Sequence, residues 1–287
     1  MRPWIVSIPC WGQRYIDTLL SGPLDSILVA LKRPATFMFH TAGDRSWIPL
    51  AMLYDAGHTV EVREMGGPEK YSAFGNAHRE ALDFAEPEDY VALLSADMTV
   101  SRETFSACER QFARGKWLVI APATSTLPPS PDPGMSSKAL LEWALAHLHP
   151  IHQETIWGVG HSLSPATLMF KHERGVDLHG FHMHPVAVKK YAGLTFLAPT
   201  ADEKLPAQFP EHQIHLVTGH DELAVVETSP PDRPVFKNGP ITAEGVANWA
   251  RQCASERHRW MFKQCVNLSG QPSDHKEIVN KILGLAA

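Results

Sequence analysis

Asp97 is the residue whose type and position most clearly indicate chemistry. It follows an apolar run at residues 90–94, which is typical of a buried parallel strand, and lies just past the carboxyl end of that strand. In an open α/β sheet, polar residues at this edge face the ligand crevice. A carboxylate there is suited to hold a metal ion or a sugar hydroxyl, while the structural alternative is an Asp that caps a turn or helix. Ser101 is predicted to cap the helix that follows.

His182 and His184 form a second group with chemical potential. The chain holds 16 histidines, and these two are separated by one residue. If this segment is extended, both side chains point to the same face. Neutral imidazole is a common ligand of Mn²⁺ and Zn²⁺, so the pair could bind one ion. Histidines that are merely hydrogen-bonded are the alternative interpretation.

Composition narrows the class of protein. The chain has 287 residues, of which 44% are hydrophobic and 20% are charged, with a formal charge of −5. These values are typical of a globular protein and argue against a broad nucleic-acid interface. No apolar run approaches the roughly 18 residues of a membrane span. The four cysteines lack C-x-x-C spacing, and the start lacks a signal-peptide pattern, so we expect reduced thiols and a cytoplasmic protein.

The elements that must position these residues alternate at short intervals. Strands are predicted at residues 4–9, 36–40, 58–64, 90–94 and 116–122, and helices at 15–30 (two short ones), 47–56 and 71–85. This alternation predicts an α/β fold with a single doubly wound, mostly parallel sheet flanked by helices. A Pro/Ser-rich loop at 123–137 breaks the pattern, and its length is typical of a functional lid. Ser136 or Ser137 is predicted to cap the next helix.

Several features of residues 1–122 follow one another in a definite order. They are a strand ending in Ile8-Pro9, a second strand followed by the loop of Asp44, the helix sequence G-N-A-H-R-E-A-L at 75–82, and L-L-S-A-D at 93–97. With these features in this order, residues 1–122 resemble the nucleotide-sugar half of a GT-A glycosyltransferase, in particular a family-2-like one. The sequence L-L-S-A-D occupies the place of the D-x-D motif in such enzymes. The resemblance implies the doubly wound fold predicted above.

The resemblance also implies a metal site. The first acid of D-x-D falls at Ser95, so Asp97 alone is retained, and its implied role is to contact the Mn²⁺ or Mg²⁺ ion that bridges the donor phosphates. A downstream histidine completes the site in some retaining relatives, which suggests His184 or His182. His184 is favoured because Pro185 restricts its backbone. The departure at Ser95 leaves the metal requirement open.

Other donor contacts follow from the same resemblance. Pro9 and Asn76 lie in matching segments, Asp44 would recognise the base or ribose, and Arg79 would place a cation near the diphosphate of a UDP- or GDP-sugar. Asp44 as a turn residue and Arg79 as a partner of nearby acids are the structural alternatives.

The resulting hypothesis is a glycosyltransferase that moves a sugar from a nucleotide-sugar to an unidentified acceptor, a saccharide or a lipid-linked molecule. An inverting enzyme needs a carboxylate base, for which Asp177, Asp221 and Glu154 are candidates by position. A retaining enzyme needs none, so the stereochemistry stays open. The loop at 123–137 would close over the donor. The alternatives are a metal-dependent hydrolase or cupin-like enzyme built on the histidine pair, and a catalytically inactive nucleotide-sugar binder.

The domain organisation follows from the same patterns. Residues 1–240 are expected to form the GT-A-like domain, with a donor half at 1–122, an acceptor half at 123–240 and a proline-rich end at 227–240. Residues 241–287 are predicted to be a helical C-terminal extension. Its basic, aromatic stretch at 250–264 is interpreted as a solvated helix, with peripheral membrane binding or a homo-oligomer contact as alternatives.

Overall fold

The structure is a computed structural model that describes residues 2–65, 70–160, 165–195, 200–232 and 240–287. Half of the proline-rich stretch predicted at 227–240, namely residues 233–239, lies outside the described part. The strands, in chain order, are β1 (Trp4–Pro9), β2 (Ala35–Thr41), β3 (Thr59–Glu64), β4 (Tyr90–Leu93), β5 (Met98–Val100), β6 (Leu118–Ala121), β7 (Ala123–Thr126), β8 (Thr167–His172), β9 (Gly175–Gly180), β10 (His184–Lys189), β11 (Ile214–Leu216), β12 (Val225–Thr228) and β13 (Val266–Gly270).

Helices connect these strands. They are α1 (Gln13–Leu20), α2 (Pro23–Ala30), α3 (Leu50–Asp55), α4 (Lys70–Phe84), α5 (Thr104–Ala113), α6 (Ser137–Ala146), α7 (Pro150–Gln153), α8 (Ala201–Lys204), α9 (Ala243–Cys253), α10 (Glu256–Lys263) and α11 (Lys276–Ala286), with 3₁₀ turns at Pro206–Gln208 and Glu211–Gln213. No helix in the described ranges is long and apolar enough to cross a membrane.

A seven-stranded sheet forms the centre, in the order β11-β6-β10-β4-β1-β2-β3. Its strands are parallel except β10, which runs antiparallel to both β4 and β6. Side chains alternate across it: Val6 and Ile8 join the core beneath α1, α2 and α5, whereas Ile5 joins the core beneath α4 and α6. Because both faces of the sheet are covered at its centre, strands β1, β4 and β6 are largely apolar and buried, whereas the edge strand β3 is polar and partly exposed. The predicted doubly wound, mostly parallel fold class is confirmed.

Two small sheets extend this core. The first has the order β5-β12-β7, and the second has the order β13-β9-β8. Strand β7 falls inside the loop predicted at 123–137, so the first part of that segment is held by parallel pairing with β12. Strand β13 was not predicted. It lies between helices of the C-terminal segment and pairs with β9, while the boundary at residue 240 stays a prediction.

The prediction for Ser101 was wrong. Strand β5 continues the chain past Asp97, and helix α5 begins only at Thr104 after Glu103. The Ser101 hydroxyl instead accepts a hydrogen bond from the backbone N–H of Ala224 at 3.1 Å, next to strand β12. In contrast, Ser136 does cap helix α6, by accepting from the backbone N–H of Ala139.

Candidate functional site

The candidate site lies where the winding of the sheet changes direction. From β1 the chain proceeds to β2 and β3 on one side, whereas β4 pairs with β1 on the other side. Connections on opposite sides leave a crevice outside the carboxyl ends of β1 and β4. Asp97 comes four residues after the end of β4 and therefore lies at this edge.

A cavity of about 300 Å³ opens at this edge, and we call it the switch-point cavity. Its lining residues are Phe74, Gly75, His78, Ser95, Asp97, Met98, His184, Thr200, Ala201, Asp202 and Glu227. A second space of about 170 Å³ adjoins it and shares Met98, His184, Asp202 and Glu227. The sheet edge, helix α4 and the end of strand β12 thus contribute to one polar cleft.

Asp97 is held in place by its neighbours in sequence and by a distant strand. The Ser95 hydroxyl donates to Asp97 Oδ1 at 2.5 Å, and both residues are buried. The backbone carbonyl of Asp97 accepts from the N–H of Thr228 at 2.8 Å, which joins it to β12. The Ser95 hydroxyl therefore orients the carboxylate of Asp97.

His184 reaches the same edge because β10 is antiparallel, so that its first residue lies opposite Ala121 at the carboxyl end of β6. Its Nε2–H donates to the Leu93 carbonyl at 2.5 Å, which leaves Nδ1 as the nitrogen with a lone pair. Burial lowers the pKa of His184 below its usual value, against the Leu93 hydrogen bond and the charges of Asp202 and Glu227, which raise it. Burial outweighs these effects, so the imidazole is neutral near pH 7.

His78 is a cavity residue that sequence reasoning missed. It lies on α4, and its Nδ1 is 3.0 Å from the Ser7 hydroxyl of β1. Burial, followed by the proximity of His184 and His40, lowers the pKa of His78 well below its usual value. The sequence signal was available, because His78 falls inside the helix sequence G-N-A-H-R-E-A-L.

Two carboxylates at the cavity were also missed. Glu227 pairs with Met98 in the antiparallel register of β12 and β5, which brings it beside Asp97. Asp202 lies in the first turn of the short helix α8. The only sequence signal for Glu227 was that an acid stands within an apolar stretch. The pairing of β12 with β5, which brings Glu227 to the cavity, is a long-range contact that the sequence pattern does not reveal.

The two predicted histidines do not share one extended strand. Residues 181–182 form a bend before β10, so the condition for a common face is not met. His182 Nε2–H donates to the Cys253 carbonyl at 3.0 Å, and its ring packs on Trp249 and His258. Both His182 and His184 line the smaller space. Their role as metal ligands, with Asp97, stays a prediction.

The three candidate bases lie elsewhere, since neither space includes Asp177, Asp221 or Glu154 among its described lining residues. Asp177 is fully buried in β9. Asp221 is exposed in a turn, and Glu154 is buried after α7. None of the three is brought to Asp97 by the fold, and their catalytic role stays a prediction.

The remaining predicted donor contacts, Pro9, Asp44, Asn76 and Arg79, are not among the described residues that line the cavity. Pro9 ends β1, and Asn76 and Arg79 are half-buried on α4. Asp44 is exposed and accepts hydrogen bonds from the backbone N–H and the hydroxyl of Ser46 at 2.9 and 2.7 Å. These bonds lower the pKa of Asp44, which is the behaviour of an acid that closes a turn.

Comparisons with known proteins do not identify a family. No protein-family model and no curated protein matches the sequence. Among solved structures, residues 1–349 of S. aureus TarS align with 99% of this chain and 71% of their own length, at 11% identity and a TM-score of 0.41. The same fragment in complex with UDP aligns at 11% identity, covering 98% and 70%, with a TM-score of 0.40. A 4-diphosphocytidyl-2C-methyl-D-erythritol synthase aligns at 17% identity, covering 47% and 67%, with a TM-score of 0.31. Similarity at this level assigns neither a family nor a reaction to the chain.

The charge of the cavity indicates what it can hold. Three carboxylates, those of Asp97, Asp202 and Glu227, face it together with the neutral imidazoles of His78 and His184. Its described lining residues include no lysine or arginine. Such a cavity attracts a cation, and it can accept a phosphorylated ligand only together with one.

Proposed function

We propose that the chain is a nucleotide-sugar glycosyltransferase of the GT-A type, with the donor diphosphate in the switch-point cavity. The observation that carries the proposal is the position of Asp97, which lies in a cavity at the carboxyl ends of β1 and β4. In open α/β sheets this is the place where nucleotide ligands bind. The donor is proposed to be a UDP- or GDP-sugar.

The charge of the cavity supports a divalent ion as part of this function. A nucleoside diphosphate would be repelled by Asp97, Asp202 and Glu227 unless a cation lay between them. The donor set fits Mn²⁺ or Mg²⁺, because Asp97 offers a carboxylate and His184 offers Nδ1, while the diphosphate brings oxygens of its own. When bound, the ion would neutralise charge that develops on the leaving diphosphate.

The other cavity residues have roles that follow from their contacts. Ser95 fixes Asp97 through its 2.5 Å hydrogen bond, and the Leu93 carbonyl fixes the tautomer of His184. Glu227 and Asp202 face the cavity, and we propose one of them as the base that takes the proton of an acceptor hydroxyl if the reaction inverts the sugar. They are better placed for this role than Asp177, Asp221 and Glu154.

Ligand-dependent thermal unfolding tests the proposal. The purified chain is heated with UDP, GDP or CMP, each with Mn²⁺ or with EDTA. A nucleotide at 100 times its dissociation constant adds about 2.7 kcal/mol to the free energy of unfolding, which gives a clear shift of the midpoint. We expect UDP or GDP to give this shift with Mn²⁺ and to lose it in EDTA and in Asp97→Asn.

The matched control is Asp55→Asn, which removes an exposed acid at the end of α3 that neither lines the cavity nor was predicted as a donor contact, and this variant should keep the shift. Release of UDP or GDP from the matching sugar nucleotide then separates an enzyme from an inactive binder. The proposal is wrong if none of the nucleotides shifts the midpoint, or if the shift is the same in Asp97→Asn. A shift without turnover of any donor would favour the inactive binder.

A further inference from the structure

A compact group of metal-ligating side chains lies outside the switch-point cavity. His172 ends β8, Asp177 lies in β9, and His275 precedes α11. One ligand atom of each lies within 4.8 Å of the other two, and the described residues contain no other such group of three or more. We propose that His172, Asp177 and His275, which we call the His–Asp–His cluster, bind a Zn²⁺ ion. This inference is independent of the proposed glycosyltransferase function.

The distances within the cluster suit zinc. His172 Nε2 lies 3.1 Å from Asp177 Oδ2, and His275 Nε2 lies 2.9 Å from the same oxygen. Zinc–ligand bonds of about 2.0–2.1 Å in a tetrahedron separate neighbouring ligand atoms by about 3.3 Å. The two contacts with Asp177 Oδ2 are therefore within a few tenths of an ångström of this separation, and the two imidazole nitrogens lie within 4.8 Å of each other.

The hydrogen bonds of Asp177 provide an independent argument. Its Oδ2 faces three N–H groups, those of His172, His275 and the Ser273 backbone, although a carboxylate oxygen has two lone pairs. A cation bonded to both imidazole nitrogens removes two of these competing hydrogens. One hydrogen bond is lost in exchange. Without a metal, His172 Nδ1 accepts from the Arg174 N–H at 3.3 Å, but Nδ1 would carry the proton when Nε2 binds a metal and could then no longer accept.

The surroundings hold the ligands in place. Asn267 on β13 donates to Asp177 Oδ1 at 3.0 Å, and the ring of Phe170 stacks on His275 with centroids 4.3 Å apart. Hydrogen-bonded carboxylates and fixed rings are the usual support of metal ligands. A cavity of about 320 Å³, lined by Trp157, Phe170 and His275 among others, adjoins the cluster on the side of His275, from which solvent would supply a fourth ligand.

The donor set selects the metal. Two imidazoles and one carboxylate suit a borderline-soft ion such as Zn²⁺ better than Mg²⁺ or Ca²⁺, which prefer oxygen. The ion would also join distant parts of the chain, because the hairpin of β8 and β9 lies about 100 residues before His275. Bound zinc should therefore stabilise the packing of the C-terminal segment on this hairpin.

Metal titration of the full chain tests the proposal. Protein stripped with EDTA is dialysed and titrated with Zn²⁺ by calorimetry, and its thermal midpoint is measured with and without the ion. We expect one Zn²⁺ per chain and a higher midpoint, with an affinity reduced at least about tenfold in His275→Ala and in His172→Ala. His212→Ala removes an exposed histidine outside the cluster and should change neither result. Asp97→Asn should also leave Zn²⁺ binding intact, which separates this site from the switch-point cavity.

Two results would overturn the proposal: absence of Zn²⁺ uptake by the stripped chain, or equal uptake by wild type and both cluster variants. If the alanine variants do not fold, Co²⁺ added to the stripped wild-type chain replaces them as a probe. Intense visible bands of tetrahedral Co²⁺ that Zn²⁺ displaces support the site. Weak octahedral bands, or bands that Zn²⁺ does not displace, contradict it.

Discussion

His40 should make the stability of this protein depend on pH. It lies in β2, is 1% exposed, and its Nε2 is 3.3 Å from a carboxylate oxygen of half-exposed Glu80. Burial, and then the charge of Arg63, lower the pKa of His40 from 6.5 to about 4. His78 on α4 is also close enough to interact with it. The contact with Glu80 favours the charged form, but burial outweighs it, so the imidazole is neutral at pH 7 and the contact is not an ion pair.

The size of the effect follows from linkage. Because the pKa of His40 is lower in the folded state, the unfolded chain binds the extra proton between pH 6.5 and pH 4. The stability contributed by a neutral His40 is therefore present above pH 6.5 and is lost as the pH falls towards 4. Between pH 7 and pH 4.5, the titration of His40 should lower the free energy of unfolding by about 2 kcal/mol.

Urea unfolding at pH 7 and pH 4.5 measures how much His40 contributes to this decrease in the free energy of unfolding. His40→Gln cannot be protonated, so its loss of stability over this interval should be smaller than that of wild type by about 2 kcal/mol. The exposed His212→Ala variant is the control and should lose as much as wild type. An equal loss in His40→Gln and wild type would show that His40 titrates normally in the folded state, which would refute the burial argument.

Two further predictions concern packing, and both are measured by urea or thermal unfolding. Gly270→Ala places Cβ 1.8 Å from a backbone carbonyl oxygen, whereas at Gly193, which has a similar positive φ, nothing lies within 4 Å. Gly270→Ala should thus lower the free energy of unfolding by about 3 kcal/mol or more, and Gly193→Ala by only about 1–2 kcal/mol. Equal losses would contradict the close approach of the backbone at Gly270. Phe181→Ala removes a fully buried ring that stacks on Phe262 with centroids 3.9 Å apart, and it should lower the free energy of unfolding by about 3–5 kcal/mol. Phe84→Ala, at an exposed position, should lower it by less than about 1 kcal/mol. A similar small loss at both positions would contradict this packing.

Local sequence patterns predict the parts of the fold that depend on local physics. The apolar run at residues 90–94 specifies a strand covered on both faces, and strand β4 is observed there. The break at Gly22-Pro23 predicts two helices in place of one, and α1 and α2 are observed. The edge position of Asp97 follows from the strand that precedes it, so it is predictable as well.

Residues brought together by long-range pairing were not predictable in the same way. Glu227 lies beside Asp97 because β12 pairs with β5, a strand of three residues that carries little pattern of its own. Ser101 illustrates the same limit, since its hydroxyl is engaged by the distant backbone of Ala224 and cannot cap α5. Likewise, Asp177 meets His275 only after β13 has paired with β9.

The two candidate metal sites differ in how many ligands the protein itself supplies, and this difference indicates what metal binding at each site is coupled to. Asp97 and His184 belong to no group of three ligands at mutual distances within 4.8 Å among the described residues, so an ion there needs oxygens from a bound diphosphate. The His–Asp–His cluster has three ligand atoms within 4.8 Å of one another, and both imidazoles contact Asp177 Oδ2. Under the proposed function, a metal in the switch-point cavity would therefore bind together with the donor, as suits an ion that takes part in a reaction. A metal in the cluster is coupled to folding, because its ligands converge only when the C-terminal segment is docked.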